Sequence, residues 1–343
     1  MRKGTLVLLM VGLLTASGSA TGYASTPTPM QQVAAQLAEH RATITLALPD
    51  VKQASAILES AIKADEYMGM IIKSYTIRTS STAGKSKGTA TYKIVYLESK
   101  AQSDYVAAQA KQIVAKLLTS KMTDIQKEKL LHDYIASHVS YDHSLRKYTA
   151  YEALKTGEAV CQGYALLTYR LMQEAGIPVH IVSGSVSTGL HAWNKVKLDG
   201  QWYNVDTTWD SQEKVDYTYF NVSDAALRRD HSWSQGGMPA ATTDYRAMLK
   251  AKIKAKDKYA IAYQAIMKDI GDNVTSLADA IKLIDDAIAG KKTSVKFNYL
   301  YGKRNLKQDV EAMSNEHADG AKSISFSYSY LNGVATIEAK LAY

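Results

Sequence analysis

The dipeptide Asp199-Gly200 constrains this chain more than any other pair of residues. It stands between two alternating runs, His191 to Leu198 and Gln201 to Asp206, and a two-residue Asp-Gly turn favours positive φ at both positions, which matches the twist of an antiparallel hairpin. With those two residues as the turn, Leu198 faces Gln201, Trp193 opposes Asp206 and His191 opposes Thr208. His191 and Asp206 are then diagonal neighbours on one face, about 7 to 8 Å apart, a gap their side chains can close. The same face carries Trp193, Lys195 and Asn204, while Ala192, Val196, Leu198, Tyr203 and Val205 point the other way. The apolar face is expected on the core and the polar face along a cleft.

A second feature gives that face a chemical partner. The 343 residues include one cysteine, Cys161, so no internal disulfide can staple the fold. With 46% apolar and 22% charged residues, the chain has the composition of a folded protein that relies on its core, and disorder is excluded. Cys161-Gln162-Gly163-Tyr164-Ala165 runs into Leu166, Leu167, Leu171 and Met172 at helical spacing, and Gly176-Ile177-Pro178 stops the helix. Cys161 therefore opens a helix, where unpaired amides and the positive end of the dipole favour a thiolate. Gly163, one turn in, costs about 1 kcal/mol of helix propensity relative to Ala and implies a close approach to the backbone. A lone free Cys taken without context is most often a small buried hydrophobe. Here a thiolate nucleophile, a His to hold its proton and an Asp to orient that His make a chemically complete set. Spacing alone does not put Cys161 beside His191.

The rest of the chain frames this centre. Arg2 and Lys3 precede the apolar run Gly4 to Leu14, with small-residue cleavage sites after Ala24 or Ala20, and residues 1–24 are expected to be a secretory signal peptide. About eleven apolar residues are too few for a membrane span, which needs ~20. The formal charge of +8 falls to +6 without Arg2 and Lys3. Residues 25–118 are expected to form an N-terminal α+β region, 119–235 the central unit, and 236–343 a C-terminal helical and β-α-β-β region. Ala42 to Leu48, Ile71 to Thr79 and Thr89 to Leu97 read as strands around a helix that begins after Pro49-Asp50. At the other end, Ser294 to Leu300, a helix before Met313, and two strands joined by Asn332-Gly333 give the same order. That is either a weak repeat or two uses of a common arrangement. Thr123-Asp124-Ile125-Gln126 and Thr149-Ala150-Tyr151-Glu152 are capping boxes opening two more helices. The lysines between Asp244 and Lys307 read as a solvated helix face, or alternatively as attraction to an anionic cell envelope.

The triad residues sit in three phrases: Cys161-Gln162-Gly163-Tyr164-Ala165, His191-Ala192-Trp193-Asn194, and Trp202-Tyr203-Asn204-Val205-Asp206-Thr207-Thr208-Trp209-Asp210. In order and spacing this resembles the transglutaminase-like superfamily over about residues 125 to 232, with Tyr141-Asp142 and Tyr219-Phe220-Asn221-Val222-Ser223 similar to its flanks. The resemblance implies an α+β fold class, with a papain-like core in which a nucleophile helix packs on an antiparallel sheet. It makes Cys161 the nucleophile, His191 the base and Asp206 its orienting partner. Gln162 stands where animal transglutaminases have Trp, and no acidic loop cluster suggests calcium, so the chain is closer to the bacterial and archaeal branch. Trp193, Gln162 and Tyr141 are expected to contact substrate, with Tyr141 a candidate second oxyanion donor beside the Cys161 amide.

The remaining candidates are weaker. His138 is expected to continue the stripe of Leu131, Tyr134 and Ile135 as a satisfied core His, and no paired-Cys or His-Glu-x-x-His spacing supports zinc, so neither metal nor cofactor is expected. His180 reads as structural, and His231 as the end of the central unit without a catalytic part. No zinc-finger or aromatic-basic motif points to nucleic acid. Two functions remain open: an exported thiol enzyme acting on amide bonds of protein or cell-wall peptide, and a non-enzymatic envelope-binding protein that keeps the core as a scaffold.

Overall fold

The computed structural model describes residues 26–211, 215–302, 304–316, 320–331 and 334–343. The expected leader and the Asn332-Gly333 turn lie outside the described residues.

The described chain opens with α1 (Pro29–Ala38) and β1 (Thr43–Leu48), whose burial alternates as its sequence does. Asp50 caps a short turn leading into α2 (Ala54–Lys63), and Asp65 caps α3 (Glu66–Ile71). β2 (Ile72–Ser81) and β3 (Gly88–Tyr96) complete an antiparallel sheet of order β1-β3-β2.

α4 (Lys100–Leu117) falls in the span expected for the N-terminal region, and the central span then holds α5 (Asp124–His138), β4 (Ser140–Tyr141), α6 (Ala150–Thr156), β5 (Glu158–Ala159) and α7 (Cys161–Glu174), on which α4 packs. β6 (Val179–Val186), β7 (Gly189–Leu198) and β8 (Gln201–Val205) form an antiparallel meander. α7 lies on β6 and β7, with α4, α5 and α6 around its other sides. Each residue from Gly163 to Thr168 is buried, the pattern of a helix enclosed all round rather than amphipathic. The α+β class with a helix packed on an antiparallel sheet is thus present. The β7–β8 register pairs Leu198 with Gln201 and Lys195 with Asn204, as the turn dictates, and Asp199 and Gly200 adopt φ of 49° and 79°. His138 departs from expectation: it is exposed at the last turn of α5, while His132 on the same helix is fully buried.

Beyond β8 come α8 (Asp224–Leu227), α9 (Tyr245–Lys254), α10 (Ala260–Ile270), β9 (Asp272–Val274), α11 (Leu277–Ala289), β10 (Ser294–Tyr299), α12 (Leu306–Asn315), β11 (Ser323–Leu331) and β12 (Val334–Ala342). Their sheet runs β11-β12-β10-β9. In both terminal units the first strand of the β-α-β-β order pairs antiparallel with the last. One apolar cluster runs from Val33 to Ile270 and joins the N-terminal unit to the centre, whereas the C-terminal sheet has its own core around Phe297 and Ile337. Buried Arg246 links the parts by donating to the carbonyls of Tyr217, Ile270 and Gly271. Among the described residues no helix is long and apolar enough to cross a membrane.

Candidate active site

The helices that lead to the site are capped by their own sequence. Thr28, Ser99, Thr123 and Thr149 each close a complete capping box, at α1, α4, α5 and α6. α7 is different. Its N-cap is Val160, which offers no side-chain acceptor, so the first amides of α7 lie ahead of the intrahelical ladder with no hydroxyl claiming them. Cys161 is the first residue of that helix and is partly exposed.

Several contacts set the position of this helix start. α6 ends at Gly157 in the left-handed region (φ 72°), and the chain then runs through β5 beside β4. Asp142 accepts from Ser144 N and Oγ, Arg146 N and Lys147 N, fixing the loop whose Lys147 carbonyl accepts from Val160 N. Gly163 answers a packing need: a Cβ there would lie 2.7 Å from the Ala159 Cβ and 3.0 Å from the Thr149 carbonyl oxygen. The close approach implied by this glycine is therefore that of the neighbouring chain.

The sheet brings the other two groups. His191 on β7 donates from Nε2 to Asp206 Oδ2 at 2.7 Å. That leaves Nδ1 unclaimed by Asp206, and the Cys161 thiol raises the His191 pKa both as a hydrogen-bond partner and as a charge. Burial opposes the charge on His191, but the Asp206 carboxylate and then Cys161 outweigh it and hold the imidazole up to about 10. Burial likewise pushes Asp206 up, yet the His191 and His231 imidazoles keep its carboxyl well below the usual range. The other Asp206 oxygen accepts from the Thr208 and Trp209 amides at 3.0 and 3.2 Å. The structure thus brings Cys161, His191 and Asp206 together.

The polar face of the hairpin is not an open cleft. Val182, Trp193, Tyr219, Val222, Leu227 and Trp233 form a third apolar cluster over it. Lys195 is fully buried there, its ammonium bound to Asp224 Oδ1 at 2.8 Å and to the Pro239 carbonyl at 2.7 Å. Trp193, expected to contact substrate, is only 1% exposed. It packs beside His191 and donates from Nε1 to Asn204 Oδ1, so it forms a wall behind the imidazole. Gln162 donates its Nε2 to the Met70 carbonyl at 2.8 Å, tying the helix start to α3. Tyr141 is 36% exposed, and burial and then the Cys161 charge raise its pKa. Leu190, next to His191, is 92% exposed.

His231, expected only to mark the end of the central unit, reaches the site. It is buried against Trp193, Trp209 and Tyr219, and its Nε2 reaches the same Asp206 Oδ2 at 3.2 Å. Gly184 admits this segment: a Cβ there would lie 2.3 Å from the Ser232 carbonyl oxygen. A His in an irregular stretch carries no periodic signal, so only the fold reveals it. His191, Asp206 and His231 offer donor atoms within 4.8 Å of one another, a grouping explained by two hydrogen bonds onto one oxygen.

Residues 111–207 match the family model described as Transglutaminase-like superfamily. Among curated proteins, the chain is similar to the kyphoscoliosis peptidase of Homo sapiens, 30% identical over 118 residues, covering 29% of this chain and 18% of that protein. The Mus musculus protein of the same name is 29% identical over 133 residues, covering 34% of this chain and 20% of that protein. The chain thus spans about a fifth of the length of these relatives. Among solved structures it is similar to a candidate cysteine protease of Cytophaga hutchinsonii (14% identity, TM-score 0.27, covering 40% of this chain and 65% of the other). A structure described as a TGase is also similar (17% identity, TM-score 0.26, covering 38% and 43%). The segment that matches the transglutaminase-like superfamily model thus holds the helix-borne cysteine, the hairpin and Asp206.

Proposed function

We propose that this protein is an exported thiol enzyme that acts on amide bonds of protein or cell-wall peptide through a thioester on Cys161. The observation that carries the reading is the 2.7 Å His191–Asp206 hydrogen bond, with Cys161 at the uncapped start of α7 near enough to raise the His191 pKa. The leader-like segment 1–24 supports export to the cell envelope or beyond.

The chemistry proceeds in two halves. With its proton on His191, the Cys161 sulfur attacks the carbonyl carbon of a carboxamide, and the oxyanion forms toward the free Cys161 amide. The candidate for a second donor is the Tyr141 hydroxyl, whose pKa the Cys161 charge raises. As the C–N bond breaks, His191 gives its proton to the departing amine and the acyl group remains as a thioester. Water or an amine then attacks the thioester carbon, passing a proton to His191, and the sulfur leaves as thiolate. Water as acceptor gives hydrolysis, and a lysine amine gives acyl transfer.

Iodoacetamide labelling of the full chain at neutral pH tests the centre, with mass spectrometry locating the adduct. Cys161 should react faster than an unperturbed thiol; reaction no faster than free cysteine would remove the basis of the reading. Incubation with casein and a fluorescent amine then separates the two acceptors: incorporated amine marks transfer, and new peptide fragments mark hydrolysis.

A further inference from the structure

We propose that His231 is a positioning residue for the thiol centre: a permanently charged imidazolium that bridges Asp206 to Asp230, fixes the Asp206 carboxylate and tempers its hold on the His191 proton.

The bridge follows from counting donors. His231 Nε2 lies 3.2 Å from Asp206 Oδ2, and its Nδ1 lies 2.6 Å from Asp230 Oδ1. An ionised carboxylate only accepts, and a neutral imidazole has one N–H and one bare nitrogen. Both contacts can be hydrogen bonds to carboxylates only if both ring nitrogens carry protons. Asp230 is itself oriented, because the Tyr219 hydroxyl donates to its other oxygen at 2.7 Å. The ring has no exposed surface and is confined by Trp193, Trp209 and Tyr219, so water does not substitute for either partner. The backbone holds the segment as well: Ser232 and Ser185 exchange two hydrogen bonds of 2.8 Å, and His231 N donates to the Leu227 carbonyl. The pKa of His231 is raised in the same sense, with the Asp206 and Asp230 hydrogen bonds overcoming its burial.

Sharing the carboxylate has a consequence for the proposed reaction, on which this role rests. Asp206 takes four donors, two imidazoles and two amides, so it cannot rotate away from His191. The His231 ring centre is 5.3 Å from that of His191, and a fixed positive charge there opposes protonation of His191. A base held by an unshared buried carboxylate would keep its proton too tightly to deliver it to a leaving amine. The charged groups facing the pair are Asp206 after β8, Asp230 and Tyr219 from the covering segment, and Cys161 from α7.

Two measurements on the full-length protein test this. In the histidine-labelled wild type, proton–nitrogen correlation at pH 7 should show both His231 ring nitrogens protonated; one bare nitrogen overturns the proposal whether or not the protein proves to be an enzyme. The pH dependence of iodoacetamide reaction at Cys161 gives the second readout. His231→Gln removes a positive charge and should move the acid midpoint of that profile upward, by up to about one pH unit. Asp230→Asn removes a negative charge and should move it downward. Opposite shifts mark a charge acting on the thiol centre, whereas a packing role would leave the midpoint in place or move it the same way in both variants, and either result overturns the proposal. If His231→Gln does not fold, the wild-type spectrum and Asp230→Asn still decide.

Discussion

Two of the buried histidine–aspartate pairs, His191–Asp206 and His132–Asp210, are built from the same groups in different surroundings. His191 meets Asp206 at 2.7 Å and His132 meets Asp210 at 3.0 Å, and neither carboxylate has exposed side-chain surface. The surroundings separate them. Asp206 receives two imidazoles and two backbone amides and stays well below the usual carboxylate range in spite of burial. Asp210 receives His132 and the Tyr219 amide, with the Asp216 charge opposing it, and burial pushes it up to about 7. Burial alone therefore does not fix the charge of a carboxylate; the number and charge of its donors do. Beyond His191 stands the Cys161 sulfur, and beyond His132 stands Asp133, 3.2 Å from Nδ1. One pair lies beside the cysteine of α7, while the other is enclosed by Tyr217 and Phe220 and holds α5 to the segment after β8.

The largest expected effect separates the two by activity. Asp206→Asn and His191→Ala should each lower amide turnover by about 10³- to 10⁴-fold, because the imidazole loses its orientation or is gone. His132→Ala should leave the pH profile of Cys161 alkylation as in the wild type, provided the protein is folded. Its effect falls on stability instead: removing one partner of a buried pair costs about 3–5 kcal/mol, read from urea unfolding. Should His132→Ala match His191→Ala in lost turnover at full stability, the division of labour is wrong.

A smaller effect comes from pH. Asp206 has a depressed folded pKa, so its contribution is full above the unfolded value of about 3.9 and is lost as the pH falls below it. Asp210 has a raised folded pKa, so its contribution is present below about 3.9 and is lost as pH rises through about 7. His132, held up to about 9 by its hydrogen bonds to Asp133 and Asp210 against burial, loses its contribution between about 6.5 and 9. Asp210→Asn should accordingly reduce the decline in urea midpoint between pH 4 and 7, an interval set by those values. The decline will not vanish, because burial also raises Glu128 to about 8. Unchanged slopes in this variant would place the titration elsewhere.

How legible each pair was in the sequence follows from its range. Asp199-Gly200 fixed the β7–β8 register, so His191 and Asp206, fifteen residues apart, could be put on one face from local chemistry. Thr123 and Thr149 announced α5 and α6 through their capping boxes for the same reason. His132 and Asp210 are 78 residues apart and meet through packing, for which no turn or period speaks. On α5 the stripe favoured His138, but that residue sits in the exposed last turn, where its ring bonds to the Tyr134 carbonyl at the surface. The covering segment that carries His231 has almost no regular structure, so the hidden face of the hairpin read as an open cleft.

A third pair gives the smallest effect and the sharpest check on the comparison. His180 on β6 meets Glu66 at 2.5 Å, the shortest of the three contacts, and the other Glu66 oxygen accepts from Ile181 N at 2.7 Å. If distance governed strength, this pair would matter most. Its side chains retain 35% and 27% of their exposure, however, so water screens the charges and offers both groups alternative partners. Glu66→Gln keeps an oxygen for the Ile181 amide and removes only the charge. It should cost about 0.2–1 kcal/mol in urea unfolding and leave Cys161 alkylation unchanged. A loss as large as that of His132→Ala would mean that the α3–β6 contact is as dry as the interior, and burial would no longer distinguish the three pairs.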